Sequence, residues 1–450
     1  MNDIITAIAT PNGVGGVSII RISGNEVFDI LNPYIKNIDT TQQLKNTIVY
    51  AHFIDLNGEF IDEILISFFK NPHSFTGEDT IEINCHGGIF NTNLILKTLL
   101  KDDNIRIAEP GEFSKRAFLN GKKSLSEAES LMQVINATNE KAHKMALKAI
   151  TGETEKLIKK MRNDLMDIVS LIEVGIDYPE YEDIDSVTNE ELITKTSILL
   201  QQIEQIIVDS KKGSLIREGI KTAIIGVPNV GKSSILNMLS RENRAIVTEI
   251  AGTTRDTIEL KINLGNVVLD LIDTAGIRET TDIVESIGVE KSLELIEDAE
   301  LVLFVTDGKR ELIKMEEQIL EKLKNKKFIF IINKLDNNEI LSRGFDNEIL
   351  MSAVKKTGAQ ALEREIIRIF ELKNFDVSNS MYVNTAKQIS QLEKINDLIK
   401  SVIENNDLGM PVDLIEIDLK EAMFILGEML GIEVKNDLLD ELFGRFCLGK

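Results

Sequence analysis

The chain has 450 residues, which is room for roughly two to four domains with cores of their own. Hydrophobic residues make up 43% and charged residues 28%, with a net charge of −22 and a pI near 4.8. That balance excludes a surface that grips nucleic acid broadly by itself, because phosphate contacts need a basic face. Two cysteines, Cys85 and Cys447, and four scattered histidines leave no disulfide framework and no four-ligand zinc set. The start, Met1-Asn2-Asp3-Ile4, lacks a basic leader, and no apolar run approaches membrane-spanning length, so a cytoplasmic protein with no membrane contact is expected.

Residues 1–120 read as a mixed α+β domain. Val17 to Ile22 and Glu63 to Phe69 are β-rich, and Gly13-Val14-Gly15-Gly16 and Gly87-Gly88 form turns. Val17, Ile19 and Arg21 share a strand face, which sets Arg21 among apolar neighbours. In Thr80 to His86, Ile81, Ile83 and Cys85 face one way and Thr80, Glu82, Asn84 and His86 the other. Two readings stand: a half-buried sheet with a solvated polar face, or a pocket lined by Arg21 and Glu82. Cys85, on the apolar side, reads as core and not as a nucleophile. His86 beside the glycines suits a turn or an acid–base role. Pro110 to Asn120 predicts a short helix closed by Gly121, with Lys122 just beyond.

Residues 121–215 and 374–450 predict a helical domain built from two chain segments. Leu157, Met161, Leu165, Ile168 and Ile172 form one apolar stripe, and Ile193, Thr196, Leu200, Ile203 and Ile207 another. Asp177 to Asp185, with Pro179, predicts a solvated acidic loop between them. Lys141, Lys144 and Lys148 share a helix face, followed by Lys156, Lys159, Lys160 and Arg162. In so acidic a chain this is the candidate nucleic-acid or partner contact, against the plainer reading of a charged helix face. Beyond residue 373, Ile389, Leu392, Ile395, Ile399 and Val402 form a stripe, as do Leu419, Met423, Leu426 and Leu430. The chain stops at Phe446-Cys447-Leu448-Gly449-Lys450, a poor fit to a prenylation box.

Inserted between those segments, residues 216–373 read as a Ras-like α/β P-loop GTPase domain. Gly226-Val227-Pro228-Asn229-Val230-Gly231-Lys232-Ser233 has the spacing G-x-x-x-x-G-K-S, between the β-type run Thr222 to Ile225 and a helix-compatible stretch from Ser234. Glycines bring backbone N–H groups close to a β-phosphate, and the following helix presents its positive end. Lys232 would reach the β- and γ-phosphates and Ser233 would hold Mg²⁺. Chance gives such a pattern in about one chain of this length in sixty, so the downstream motifs decide. Asp273-Thr274-Ala275-Gly276 ends an apolar run; its carboxylate suits the Mg²⁺ shell and the Gly276 amide a γ-phosphate. Asn333-Lys334-Leu335-Asp336 ends another, where Asp336 accepts from guanine N1–H and N2–H₂. Ser352-Ala353 follows a third, with backbone amides for guanine O6.

Thr248-Glu249-Ile250-Ala251-Gly252-Thr253-Thr254-Arg255-Asp256 sits where a first switch loop belongs. Thr253 and Thr254 compete for Mg²⁺, with Thr254 favoured. Ile277 follows Gly276 where Ras-like enzymes carry the glutamine that orients the attacking water. Glu285 is the candidate for placing water and Arg278 for charge, while the Asn229 amide oxygen suits a hard monovalent cation.

These motifs together resemble the MnmE (TrmE) family of tRNA-modification GTPases, over essentially the whole chain. The resemblance is carried by Thr10-Pro11 through Ser23-Gly24, Phe75-Thr76-Gly77-Glu78-Asp79, Cys85-His86-Gly87-Gly88, Pro110-Gly111-Glu112-Phe113, Ile250 to Asp256 and the terminal C-x-G-K. It implies a folate-binding N-terminal domain that forms a homodimer, with 5-formyltetrahydrofolate contacts on Arg21, Glu82, Lys122 and Lys450. It implies GTP contacts along Asn229 to Ser234, Thr248 to Thr254, Asp273 to Gly276, Asn333, Lys334, Asp336, Ser352 and Ala353. K⁺ would sit on Asn229, Thr248, Ile250 and Thr253, Mg²⁺ on Ser233 and Thr254, with Glu285 helping to place the water. Cys447 would be a candidate for one-carbon chemistry. With the FAD-dependent partner MnmG, in a heterotetramer or larger complex, such an enzyme modifies C5 of the wobble uridine of tRNA. The competing class, a ribosome-assembly GTPase that binds ribosomal RNA, shares the nucleotide motifs. The flanks oppose it, with no second GTPase domain and no basic GXXG module. A third class is a GTPase acting as an assembly scaffold, marked by slow hydrolysis indifferent to K⁺.

Overall fold

The computed structural model describes residues 3–42, 46–177, 182–242, 246–247, 260–272, 295–334, 342–432 and 449. By internal contacts the chain forms two compact units, 1–132 with 426–450, and 133–425.

The first unit is built on strands β1 (Ile4–Ile8), β2 (Val17–Ser23), β3 (Ile35–Lys36), β4 (Thr47–Ile54), β5 (Phe60–Phe69), β6 (Thr80–His86) and β7 (Ile105–Ile107), with helices α1 (Val27–Leu31), α2 (Ile89–Leu99) and α3 (Glu112–Leu119). The strands form one sheet in the order β3-β4-β5-β6-β2-β1-β7, antiparallel except for β1 with β7. The two-residue period of β6 buries Ile81, Ile83 and Cys85 against a core with Phe28, Leu31, Phe53, Phe68, Ile95 and Leu99. Each such side chain contributes about 1.5–3 kcal/mol by leaving water. The other face holds a smaller cluster of Ile5, Ala7, Ala108 and Phe113. Register sets Arg21 directly opposite Glu82. Gly121, at φ +66°, ends α3 as expected, and the N–H of Lys122 returns to the Ala117 carbonyl at 2.8 Å.

In chain order α4 (Leu125–Ile135) follows, then α5 (Glu140–Ile150), α6 (Glu153–Asp177) and α7 (Glu182–Glu218). Asn139 caps α5 by accepting from Ala142 N–H at 2.8 Å. These helices correct the sequence reading in three ways. Asp177 ends α6 and Asp183, Ile184 and Asp185 belong to α7, which removes them from the expected acidic loop; its other residues include 178–181, outside the described residues. The buried stripes include Ile158, Leu192, Leu199 and Ile206, with Leu157, Ile193 and Leu200 only half-buried. The α7 stripe is wide because that helix is covered by α6 and by a later helix. Lys148 is no free member of a basic face. Its ammonium donates to the carbonyls of Val377, Ser378 and Ser380 at 3.0–3.2 Å and lies over the Tyr382 ring.

The rest of the second unit comprises β8 (Ile220–Ile225), α8 (Lys232–Glu242), β9 (Ile246–Val247), β10 (Leu260–Leu264), β11 (Val267–Leu271), β12 (Leu301–Asp307), α9 (Lys314–Leu323), β13 (Phe328–Asn333), β14 (Glu348–Leu350), α10 (Ala359–Ile369) and α11 (Ala386–Asp407). Helix α12 (Val412–Met429) follows. The sheet order is β14-β13-β12-β8-β11-β10-β9, with β8 parallel to both neighbours. Near-continuous apolar runs in β8, β12 and β13 fit burial on both faces. Leu303 and Ile331 pack to one side, Phe304, Phe330 and Ile332 to the other. The stripe Ile389, Leu392, Ile395, Ile399 and Val402 is buried along α11, which packs on α7. Thr154 accepts from the Asn384 amide at 2.9 Å, and Ser210 from Val383 N–H at 2.9 Å. The segments on either side of the nucleotide-type sheet therefore share one helical layer. Among the described residues, no helix is long and apolar enough to cross a membrane.

Candidate functional site

The loop between β8 and α8 lies where the strand order reverses, at the C-terminal ends of β8, β12 and β13, the usual ligand position in an open α/β sheet. Its glycines have steric reasons. A Cβ on Gly226 would collide with the Val305 carbonyl oxygen. One on Gly231, at φ +97°, would collide with the Asn333 amide nitrogen. Asn229 sits at φ +65°, a conformation asparagine tolerates, and its side chain is exposed. Lys232 opens α8 and curls back over the loop, donating to the carbonyls of Gly226 at 2.8 Å and Val227 at 3.0 Å. Burial lowers its pKa, because the charged form loses water. Phosphate oxygens would offer this ammonium stronger, charged acceptors. Ser233 and Ser234 follow in the first turn, where α8 presents its positive end.

Asn333, at the end of β13 and only 2% exposed, braces this loop. Its amide donates to the Val230 carbonyl at 2.9 Å, and its oxygen faces the Ala353 N–H at 3.4 Å. The Asn333 motif thus meets the P-loop, and the Ser352-Ala353 motif meets Asn333. Lys334, at φ +68°, pairs with Asp307 at 2.7 Å. Partial burial works to raise the Asp307 pKa, but Lys334 and the Lys309 N–H outweigh it, and the carboxyl ends below its usual value. Ser352 exchanges backbone hydrogen bonds with Thr357, and its hydroxyl accepts from Lys355 N–H at 3.1 Å. The expected sites Thr248, Glu249, Ile250, Ala251, Gly252, Thr253, Thr254, Asp273, Thr274, Ala275, Gly276, Arg278, Glu285, Asp336, Cys447 and Lys450 lie outside the described residues.

In the first unit, Nε and Nη2 of Arg21 both donate to Oε1 of Glu82, at 2.9 and 2.8 Å. Among the described residues no donor reaches Oε2. The guanidinium lies over the rings of Phe75 and Phe113, 5.3 and 5.7 Å from their centroids. Its Nη1 donates to the carbonyl of Gly449, 428 positions away, at 3.2 Å. Gly449 takes φ +86° and fits tightly against the Ile8 carbonyl and Ala9. Lys122 is exposed, its stem against Gly77. Arg21 and Glu82 are thus a partly buried pair, their side chains 14% and 20% exposed.

Three features escaped the sequence reading. Arg116, 1% exposed, ties Glu78, Glu112 and Asp3 together at 2.9–3.3 Å, and Arg106 joins from the other side of Glu112. Asp307, a carboxylate closing an apolar strand, was readable by the same rule that marked Asp273. Asp62 holds His86: its oxygens take the ring Nδ1 at 2.6 Å and the His86 N–H at 2.9 Å, plus the Asn91 amide at 2.6 Å. The His86 pKa is raised by that hydrogen bond and charge. Cys85 is 2% exposed and burial raises its thiol pKa, as a core residue requires.

Residues 4–122 match the family model described as the GTP-binding protein TrmE N-terminus, and residues 125–447 the MnmE helical domain. The tRNA modification GTPase MnmE of Levilactobacillus brevis is 44% identical over 457 residues, covering 100% of this chain and 98% of that protein. The proteins of the same name from Enterococcus faecalis and Bacillus thuringiensis are 43% and 42% identical, each over 100% of this chain and 98% and 99% of their own length. With full-length relatives at this identity and a P-loop geometry that their name requires, the chain belongs to the MnmE family of tRNA modification GTPases.

Proposed function

We propose that this GTPase is activated by K⁺ and works with an FAD-dependent MnmG partner, in a heterotetramer or larger complex built on a homodimer. Together they would add an aminomethyl or carboxymethylaminomethyl group to C5 of the wobble uridine. The carbon would come from a tetrahydrofolate such as 5-formyltetrahydrofolate. The observation that carries the finer reading is the Arg21–Glu82 pair between the Phe75 and Phe113 rings. The second oxygen of Glu82 suits the N–H donors of a pterin, the rings suit its flat body, and exposed Lys122 suits a glutamyl carboxylate. Lys450 belongs to the same proposed contact set, as does Cys447 for the one-carbon chemistry.

In hydrolysis, Lys232 and the loop N–H groups from Asn229 to Ser233 would hold the β- and γ-phosphates, and Asp336 the guanine. Ser233 with Thr254 would hold Mg²⁺, and Asn229 with Thr248, Ile250 and Thr253 would hold K⁺. The exposed Asn229 carboxamide is a hard oxygen donor that fits such a cation. When bound, the two ions would supply the positive charge that an arginine finger supplies elsewhere. Glu285 would orient the water that Ile277 cannot, with Arg278 near the developing charge.

The test is a nucleoside profile, by mass spectrometry, of tRNA from cells lacking the protein, with rescue by wild type and by Asp336→Asn. Loss of the 5-substituted wobble uridine, restored by wild type alone, supports the reading. An unchanged profile removes it and puts ribosome assembly first. Rescue by Arg21→Gln as fully as by wild type would remove the folate part alone.

A further inference from the structure

A cleft of about 210 Å³ opens in the second unit at the ends of α5, α7 and α10 and the turn between β10 and β11. The polar residues of its lining are Lys141, Lys373 and Asn266, two of them cationic. Ile216, Val267 and Leu372 give it an apolar floor. Among the described residues neither lysine has a hydrogen-bond or ion-pair partner. Three carboxylates close by each have a partner other than these two lysines. Glu363 accepts from Asn266 N–H at 3.0 Å, Glu140 pairs with Lys144 at 2.6 Å, and Glu371 faces Lys212 at 3.5 Å. Next to Ile216, the Arg217 side chain is 7% exposed, and its Nη2 lies 3.9 Å from Oε1 of the largely solvated Glu218.

We propose that this cleft binds a small organic anion, a carboxylate or phosphate head on an apolar body. The apolar lining favours an organic body over a bare ion, and the two lysines favour a negatively charged head. The volume exceeds the ~150 Å³ that suffices for benzene in an apolar cavity. The site is separate from the nucleotide loop. Val267 begins β11 and Asn266 precedes it, at the end of the sheet opposite the P-loop, about 16 Å away along a five-residue strand. Its walls come both from α5 and α7 and from the nucleotide-binding sheet, so a ligand here fastens one to the other.

The experiment is calorimetric titration of the full-length chain, kept with saturating GDP and Mg²⁺ so that the P-loop is filled. The probes are phenyl phosphate and benzoate, with inorganic phosphate and benzyl alcohol as head-only and body-only controls. Saturable binding of at least one aryl anion is expected, roughly tenfold or more tighter than either control, and the tighter of the two identifies the head group. Lys141→Gln/Lys373→Gln should weaken it at least about tenfold. Lys373→Glu, at an exposed position, should do the same with an unchanged melting temperature. No saturation by either aryl anion overturns the proposal. So does equal binding to wild type and the double variant, or inorganic phosphate binding as tightly as phenyl phosphate.

Discussion

Replacing Asn333 by alanine isolates what the guanine-motif asparagine does for the phosphate loop. Asn333 is 2% exposed and Val230, whose carbonyl it serves, is 1% exposed. The 2.9 Å bond is the only side-chain support given to that carbonyl among the described residues, while the 3.4 Å contact from Ala353 N–H is long enough to add little. Truncation therefore leaves one buried carbonyl unpaired, at about 1–3 kcal/mol. It also removes the group that packs against Gly231. If the loss falls on the loop conformation that receives phosphate, nucleotide affinity drops by about five- to 150-fold, since 1.4 kcal/mol is tenfold. Titration of the full chain with a fluorescent GDP analogue measures this, and a thermal melt separates it from general unfolding. Asn333→Asp should lose at least as much, because a carboxylate oxygen would then oppose the Val230 carbonyl. Affinity within twofold of wild type in Asn333→Ala would refute the bracing role.

Gly231→Ala should abolish tight GDP binding while the circular dichroism stays native, because φ +97° and the Asn333 amide leave no room for a methyl group; normal binding would mean that the loop relaxes freely. Arg116→Met strands Glu78 in a buried site and should lower the urea stability of the first unit by about 3–5 kcal/mol. A loss below about 1 kcal/mol would show that the carboxylates simply protonate. His86 has a folded pKa above its ordinary 6.5, so its pairing with Asp62 is fully present below about that pH and is lost as pH rises through the raised value. In Asp62→Asn the His86 ring resonance should titrate lower, toward 6.5, and an unmoved titration would rule out Asp62 as the cause. Lys148→Met frees three carbonyls, and amide exchange across 377–383 should quicken while β8 and β12 keep their protection; equal exchange in both proteins would contradict the clamp.

What could be read beforehand follows from how local each interaction is. The P-loop announces itself because eight consecutive residues carry its geometry: Gly226 and Gly231 are glycine for contacts that a Cβ would destroy, and Lys232 needs only its own loop. The β6 alternation is equally local, so the burial of Cys85 followed from period alone. The Arg116 network joins positions 3, 78, 112 and 116, and each of these charges, taken singly, looks like ordinary surface. The Arg21 contact with Gly449 spans 428 positions, and only topology can bring them together. The lysine face of α5 failed for a related reason. Periodicity says which residues share a face but not what that face meets. Lys148 is held by carbonyls from beyond the inserted sheet, Lys144 pairs within its own helix, and Lys141 opens onto a cleft whose other walls are more than 70 residues further along the chain. A charge stripe is therefore a list of candidates, and only the partner each member finds turns it into a clamp, a solvated pair or a site.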